Sequence, residues 1–350
     1  MGVNTYYTQE LHGPFETYAI GDLKLEEGGA LPNCQLAYTT HGKLNAARDN
    51  AVLVPTWYSG TSKIMEQIYV GDGPALDPGK YFIIVVNQIG SGLSSSPHNT
   101  PAPFEGPRFP KIRIGDDVRA QHTLLTEKFG IEQLALVFGG SMGAQQTYEW
   151  AVRYPDMVKR AAALAGTAKN LPHTCVMADV VNDILKLDPA FKDGLYGDSS
   201  TMHSALRKHA KFFTVIGWCG DFLQAESWRG LGFSSLDEFM TGFMEGYFLP
   251  MDPNNLLTQA WKWQRGDISR HTGGDLKAAL ARIKAKVMVM PIETDLIFPP
   301  AVCEAEAKMI PNSQFRVIQS KAGHLGLFAV EPTYLEQVDR HLEELLATPV

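Results

Sequence analysis

Long apolar runs are missing from this sequence. The longest, such as AAALAG at 161–166, fall far short of the about 20 residues that a membrane-spanning helix needs. Basic runs are missing too: nowhere do five or six Lys or Arg stand together, and 31 basic residues face 38 acidic ones for a net charge of −7. A phosphate-tracking surface is therefore not expected, and nucleic acid is excluded as a partner. The first residues, MGVNTYYTQELHGPF, hold no basic stretch leading into an apolar one, so they do not read as a secretory signal. Tyr6 stands where myristoylation needs Ser or Thr. Cysteine is scarce. Cys34, Cys175, Cys219 and Cys303 are widely scattered, with no C-x-x-C pair and no His at zinc-ligand spacing. A disulfide frame and a metal site are both unexpected, and the simplest reading is a soluble cytoplasmic protein with reduced thiols.

What is present is ordinary globular material, 45% hydrophobic and 20% charged. A length of 350 residues fits two domains or one large α/β unit with an insertion. Compact apolar runs recur at 51–55 (AVLVP), 81–87 (YFIIVVN), 134–138 (LALVF), 160–166 (RAAALAG), 287–291 (VMVMP) and 315–319 (FRVIQ). With so little polar alternation they read as strands buried on both faces, the mark of a parallel sheet. Between them, Asp116 to Lys128 and Glu331 to Leu346 carry apolar residues at helical spacing. The alternation predicts a doubly wound α/β sheet.

The rhythm breaks between about 168 and 272, where no strand-like run occurs. This stretch is helical in pattern and rich in aromatics, among them Phe212, Phe213, Trp218, Phe222, Phe243, Tyr247, Phe248 and Trp263. Most of these are expected to pack the insertion's own core, and some to form the underside of a lid over a pocket. The predicted division is a catalytic core of residues 1–167 and 273–350 with a helical lid of 168–272. Pro-rich 97–110 reads as a long ordered loop.

The informative segment is LALVFGGSMGAQQTYEWA at 134–151. It reads as a strand, then Gly139-Gly140-Ser141-Met142-Gly143, then a helix: G-x-S-x-G in the context that gives the motif its meaning. A serine on so tight a turn has an exposed hydroxyl, and the helix that follows offers backbone N–H groups to an oxyanion. Such a serine needs a base, and the base an orienting acid, in the chain order Ser, Asp or Glu, His. Asp295 follows the strand at 287–291, with Glu293 as its rival, and His324 follows the strand at 315–319 in SKAGHLGLF. Nucleophile, acid and base thus fall beyond strand ends on one edge of the sheet, where such folds build their sites. His98, His122 and His271 have no matching acid arrangement and read as structural. The second oxyanion donor belongs to the loop after 51–55, with the Tyr58 amide chosen and Trp57 as the alternative, beside the Met142 amide. Trp57, and its neighbour Tyr58, would flank the acyl pocket.

GGSMGAQQTYEWA, with DPGKYFIIVVNQIGSG at 77–92, RFPKIRIGDDVRAQHTLL at 108–125 and TDLIFPPAVCEAEA at 294–307, resembles the homoserine O-acetyltransferase family over about residues 15–345. The resemblance implies an α/β-hydrolase fold with a helical lid and a homodimer formed through the lids. It also implies Ser141 as nucleophile, Asp295 and His324 as its partners, and Tyr58 and Met142 as the oxyanion hole. The departures bear on substrate. Members of that family follow the His with an Asp that helps hold the homoserine amine, whereas here the residue is Leu325. Their lid carries a Tyr-Arg-Ser-type motif that clamps the substrate carboxylate; the nearest match is Trp218-Cys219-Gly220, leaving Arg207, Arg229 or Arg265 to supply a cation from elsewhere.

A zwitterion under a lid needs both charges paired, because an unpaired buried charge costs several kcal/mol, about 3–5 when one partner of a pair is removed. A pocket lined by Trp57, Trp218 and Leu325 suits an uncharged substrate instead. The expectation is a serine hydrolase of small acyl esters, with no cofactor and no metal. The alternatives are transfer of an acyl group from acyl-CoA to a hydroxyl acceptor such as homoserine, and a binding module without chemistry.

Overall fold

The structure, a computed structural model, describes residues 4–350. Eight strands form one sheet: β1 (Glu16–Lys24), β2 (Ala30–His41), β3 (Ala51–Pro55), β4 (Phe82–Val86), β5 (Leu136–Gly140), β6 (Arg160–Leu164), β7 (Lys286–Met290) and β8 (Ser313–Phe315). Their order is β1-β2-β4-β3-β5-β6-β7-β8. The first two pairings, β1 with β2 and β2 with β4, are antiparallel, and every later one is parallel. The helices of two turns or more are α1 (Ser62–Tyr69), α2 (Ile114–Thr123), α3 (Met142–Arg153), α4 (Pro172–Lys186), α5 (His203–Gly217), α6 (Pro253–Gln264), α7 (Pro300–Ala307) and α8 (Pro332–Ala347).

The near-continuous apolar runs are explained by burial on both faces. Along β3, Ala51 and Leu53 join one core while Val52 and Val54 join the other. In β4, Ile84 and Val86 are likewise separated from Ile83 and Val85. One core is closed by α2 and α3 through Val118, Tyr148 and Trp150, the other by α1 and α8 through Met65, Tyr69, Tyr334 and Val338. Each such side chain contributes about 1.5–3 kcal/mol on leaving water. Polar residues would be intolerable on either face, and the strands therefore lack alternation.

Three features depart from the sequence expectation, the first being that the strand expected at 315–319 forms at Ser313–Phe315, with Ile318 making only an isolated bridge to Ile292. The run at 134–138 pairs later than its apolar residues suggest. Gly139 and Gly140 complete β5 by pairing with Ala163 and Leu164, while Leu134 makes only an isolated bridge to Val158. The antiparallel hairpin β1–β2 was not marked by any apolar run. It lies at the sheet edge with an irregular exposure pattern, its register shifts on either side of Gly21, and Asn33 adopts φ +49°. Bulges of this kind disrupt the period-two signal.

Between β6 and β7 the chain leaves the sheet and folds into α4, α5, α6 and several short helices. Its two ends are tied together: Ile268 N donates to Ala168 O and Asn170 N to Gly266 O. The core carboxyl of Glu306, on α7, accepts from the amides of Ala168 and Lys169. Among the described residues, no helix is long and apolar enough to cross a membrane.

Candidate active site

The loops beyond the carboxyl ends of β3, β5, β7 and the chain continuing from β8 meet at one edge of the sheet. Ser141 sits between β5 and α3 with φ +56° and ψ −123°, a conformation that costs a non-glycine residue about 1–3 kcal/mol. It persists because its surroundings determine it. Ser141 N donates to Leu164 O (2.9 Å), and Ser141 O accepts from the amides of Ala144 and Gln145. The flanking glycines answer a space requirement. A Cβ on Gly139 would lie 2.3 Å from the Gly143 carbonyl, and one on Gly143 would lie 2.6 Å from Pro55 O.

Ser141 Oγ is 2.9 Å from His324 Nε2, and His324 Nδ1 is 2.7 Å from Asp295 Oδ2. The other carboxylate oxygen accepts from the amides of Ile297 (2.8 Å) and Phe298 (3.0 Å), so Asp295 is aimed by the turn it begins. All three side chains are buried. Glu293, the rival acid, is exposed. With the Nδ1–H directed at Asp295, the free Nε2 lone pair faces the serine hydroxyl, the arrangement that can take its proton. Among the described residues, the amides of Tyr58 and Met142 donate to no protein acceptor. Both are thus available to an oxyanion, one from the loop after β3 and one from the first turn of α3.

Ser141 and His324 open into a cavity of about 40 Å³, on the scale where a single water needs roughly 10–15 Å³. The core contributes Trp57, Tyr58, Ser59, Leu325, Leu327 and Phe328, and the insertion Phe213, Phe243, Met244, Tyr247 and Phe248. Among the described residues, no Asp, Glu, Lys or Arg lines it. Trp57 and Leu325 line this cavity. Trp218 does not. Its ring lies one layer back, stacked on Phe222 at 4.4 Å with Nε1 directed at Met244 Sδ (3.1 Å), so it supports Met244 rather than facing the cavity.

None of the candidate cations reaches this cavity. Arg207 pairs with Glu245 and Arg229 with Glu226, while Arg265 stacks on Trp261 and lines a separate charged cavity together with Arg113, Arg153 and His271. His98 hydrogen-bonds Asn255, His122 stacks on Tyr154 and His271 meets Glu149, all away from Ser141. Among the described residues, no cluster of three or more His, Cys, Asp or Glu forms that could hold a metal ion.

The wall residues from the insertion carry a faint sequence signal. Phe243 with Tyr247, and Met244 with Phe248, are spaced four apart, as on one helical face. The segment Met240–Glu245 is wound as a π-helix, a local widening that rotates the side chains after it relative to those before. Regular helical spacing alone therefore does not tell which aromatics face Ser141.

The sheet order, the strained serine turn and the Ser141–His324–Asp295 relay define an α/β hydrolase. The alpha/beta hydrolase fold family model matches residues 60–329, and the chain belongs to that family. Its relatives include esterases and homoserine acyltransferases. It is 61% identical to an ethyl acetate hydrolase of Pseudomonas veronii over 99% of both chains. With the homoserine O-acetyltransferase of Thermobifida fusca it shares 31% identity, over 93% of this chain and 91% of that one. A solved structure of the acetyl esterase MekB superimposes with a TM-score of 0.98 at 61% identity, covering 99% of this chain and all of that one.

Proposed function

We propose that this protein is a carboxylic ester hydrolase acting on small, uncharged acyl esters through a Ser141–His324–Asp295 triad. The observation that carries the reading is a serine 2.9 Å from its base in a small cavity walled by apolar and aromatic side chains, with no Lys, Arg, Asp or Glu among the described residues to meet a zwitterion there. The ethyl acetate hydrolase and acetyl esterase relatives support it.

His324 Nε2 takes the Ser141 proton as Oγ attacks the ester carbonyl carbon. The carbonyl oxygen becomes an oxyanion held by the Tyr58 and Met142 amides. Collapse expels the alcohol, which leaves with the proton from His324, and the acyl group stays on Ser141. Water then enters, gives a proton to His324, and a second collapse frees the acid. Asp295 holds the imidazole in the tautomer that these steps need and stabilises its charged form. No metal or cofactor has a part in this sequence.

Residues 168–272 act as a lid on a core of 1–167 and 273–350, a division supported by the tied neck at Ala168 and Ile268. A cytoplasmic setting agrees with four unpaired cysteines. Exposed Val176, Leu187 and Val215 on the lid are in keeping with a homodimer, which sedimentation would detect.

Ser141→Ala is expected to lower p-nitrophenyl acetate turnover by about 10⁶-fold with an unchanged circular dichroism spectrum; a variant as active as the parent removes the proposal. The second reading, acyl transfer from acyl-CoA to a hydroxyl acceptor, draws on the homoserine O-acetyltransferase relatives. Homoserine-dependent release of CoA from acetyl-CoA, faster than ester hydrolysis, would establish it instead.

A further inference from the structure

The loop that presents the Tyr58 amide is gripped by the carbonyl just before it. Thr56 O accepts from Gln88 Nε2 (2.7 Å) and from Gln146 Nε2 (3.1 Å), and Thr56 Oγ1 accepts from Gln88 N (3.2 Å). Gln146 lies on α3, one turn beyond Met142. A single oxygen thus joins the loop of one oxyanion amide to the helix of the other.

The amide orientations follow from groups that can only donate. The Trp150 indole N–H meets Gln121 Oε1 (2.7 Å), so Gln121 Nε2 faces Gln146 Oε1 (2.6 Å), and Gln146 Nε2 is left for Thr56 O. From the other side, Gln88 Oε1 meets the ammonium of Lys262 (3.3 Å), which leaves Gln88 Nε2 for the same oxygen. Lys262 comes from α6 of the lid and is wholly buried. Its remaining donors are taken by Ile89 O (2.8 Å) and by the Asp117 carboxylate of α2, whose other oxygen accepts from Ile89 N (2.7 Å). The same lid helix touches the loop directly, since Tyr58 Oη donates to Leu256 O (3.2 Å). His209 Nε2 lies 3.2 Å from the same hydroxyl, and burial lowers this histidine to about 3, which keeps it neutral.

A buried ion pair is a poor means of stabilising a fold, because apolar replacements of the same volume are often as stable or more so. What such a pair supplies is a fixed geometry. We propose that Gln88 and Lys262 are positioning residues for the oxyanion hole: the lid's buried ammonium sets Gln88, and Gln88 together with Gln146 sets the Thr56 carbonyl and hence the Tyr58 amide opposite Met142. The lid on this view orients the chemistry as well as covering the substrate. The inference rests on the ester-hydrolase reading above.

The test compares Gln88→Met with the double variant Lys262→Met/Asp117→Asn, which leaves no buried charge alone. Hydrolysis of p-nitrophenyl acetate is measured well below each Tm, together with inhibition by ethylboronic acid, whose adduct on Ser141 places an oxygen between the two amides. Gln88→Met should lose about tenfold or more in kcat with KM within about twofold, since small misplacements of an oxyanion donor are costly. Its affinity for the boronic acid should fall by the same factor, and the double variant should move in the same direction. A lowered Tm with kcat and boronic acid affinity intact overturns the proposal, as does a rise in KM alone. Should either variant not fold, amide hydrogen exchange in Gln88→Asn decides: faster exchange at Tyr58 with Met142 unchanged supports it, and no change at Tyr58 overturns it. A parent enzyme inert towards the ester, or an active Ser141→Ala, sinks the esterase reading instead, and the exchange measurement still tests the network.

Discussion

The two walls of the cavity are built on different principles. On the core side Ser141 and Asp295 sit in turns that follow strands and are held by hydrogen bonds to neighbouring backbone: Ser141 by Leu164, and Asp295 by Ile297 and Phe298. On the insertion side Phe213, Phe243, Tyr247 and Phe248 are held mainly by ring contacts, with one another and across the cavity with Tyr58 and Phe328, and Tyr247 adds hydrogen bonds to Ser59. Directional bonds place the reactive atoms, and packing shapes the space beside them. The first kind of wall should fail abruptly when altered, the second gradually.

The largest effect is expected on the core wall. Asp295→Asn keeps the shape of the side chain but offers the wrong hydrogen-bonding partner to His324 Nδ1, and kcat for p-nitrophenyl acetate should fall by about 10⁴-fold with little change in Tm. Retained activity would show that the imidazole is oriented by something other than Asp295. On the lid wall, Phe243→Ala enlarges the cavity without touching the relay. The ratio of kcat/KM for butyrate over acetate esters should rise by about tenfold or more, as one or two methylenes are worth about 1–3 kcal/mol in an apolar pocket. An unchanged ratio would mean that the acyl group lies against the core wall alone.

The smallest effect concerns the joint between the regions. Burial raises Glu306 to about 8 from an ordinary 4.5, so in the folded protein this carboxyl keeps a proton that the unfolded chain has lost. Between those two values the native state binds more protons than the unfolded one. The contribution of Glu306 to stability therefore declines as pH rises through that window and is level above it, with a slope of up to about 1.4 kcal/mol per pH unit. Glu306→Gln does not titrate. Its Tm relative to the parent should climb in the variant's favour from pH 5 to pH 8, and a gap constant with pH would show that Glu306 titrates normally.

The sheet and the relay were legible in the sequence because each depends on short-range patterns. Strands buried on both faces must be apolar throughout, and a serine at a tight strand-to-helix turn must be flanked by small residues, as the close approaches at Gly139 and Gly143 show. The hairpin β1–β2 was hidden because an exposed, bulged edge needs no such pattern. Trp218 was misplaced for a related reason. Position 218 follows the end of α5, and the choice between facing the substrate and stacking on Phe222 depends on how that helix docks.

By itself, then, the sequence determined the parallel part of the sheet, the tight turn at Ser141 and the absence of charge at Leu325, all of them consequences of local backbone demands and residue chemistry. Tertiary structure alone decided which aromatics of the insertion line the cavity beside Ser141 and how Lys262 reaches Gln88. Those contacts join residues far apart in the chain, 174 positions in the case of Lys262 and Gln88. No local pattern encodes such a meeting, because it exists only once two separately folded surfaces have been pressed together.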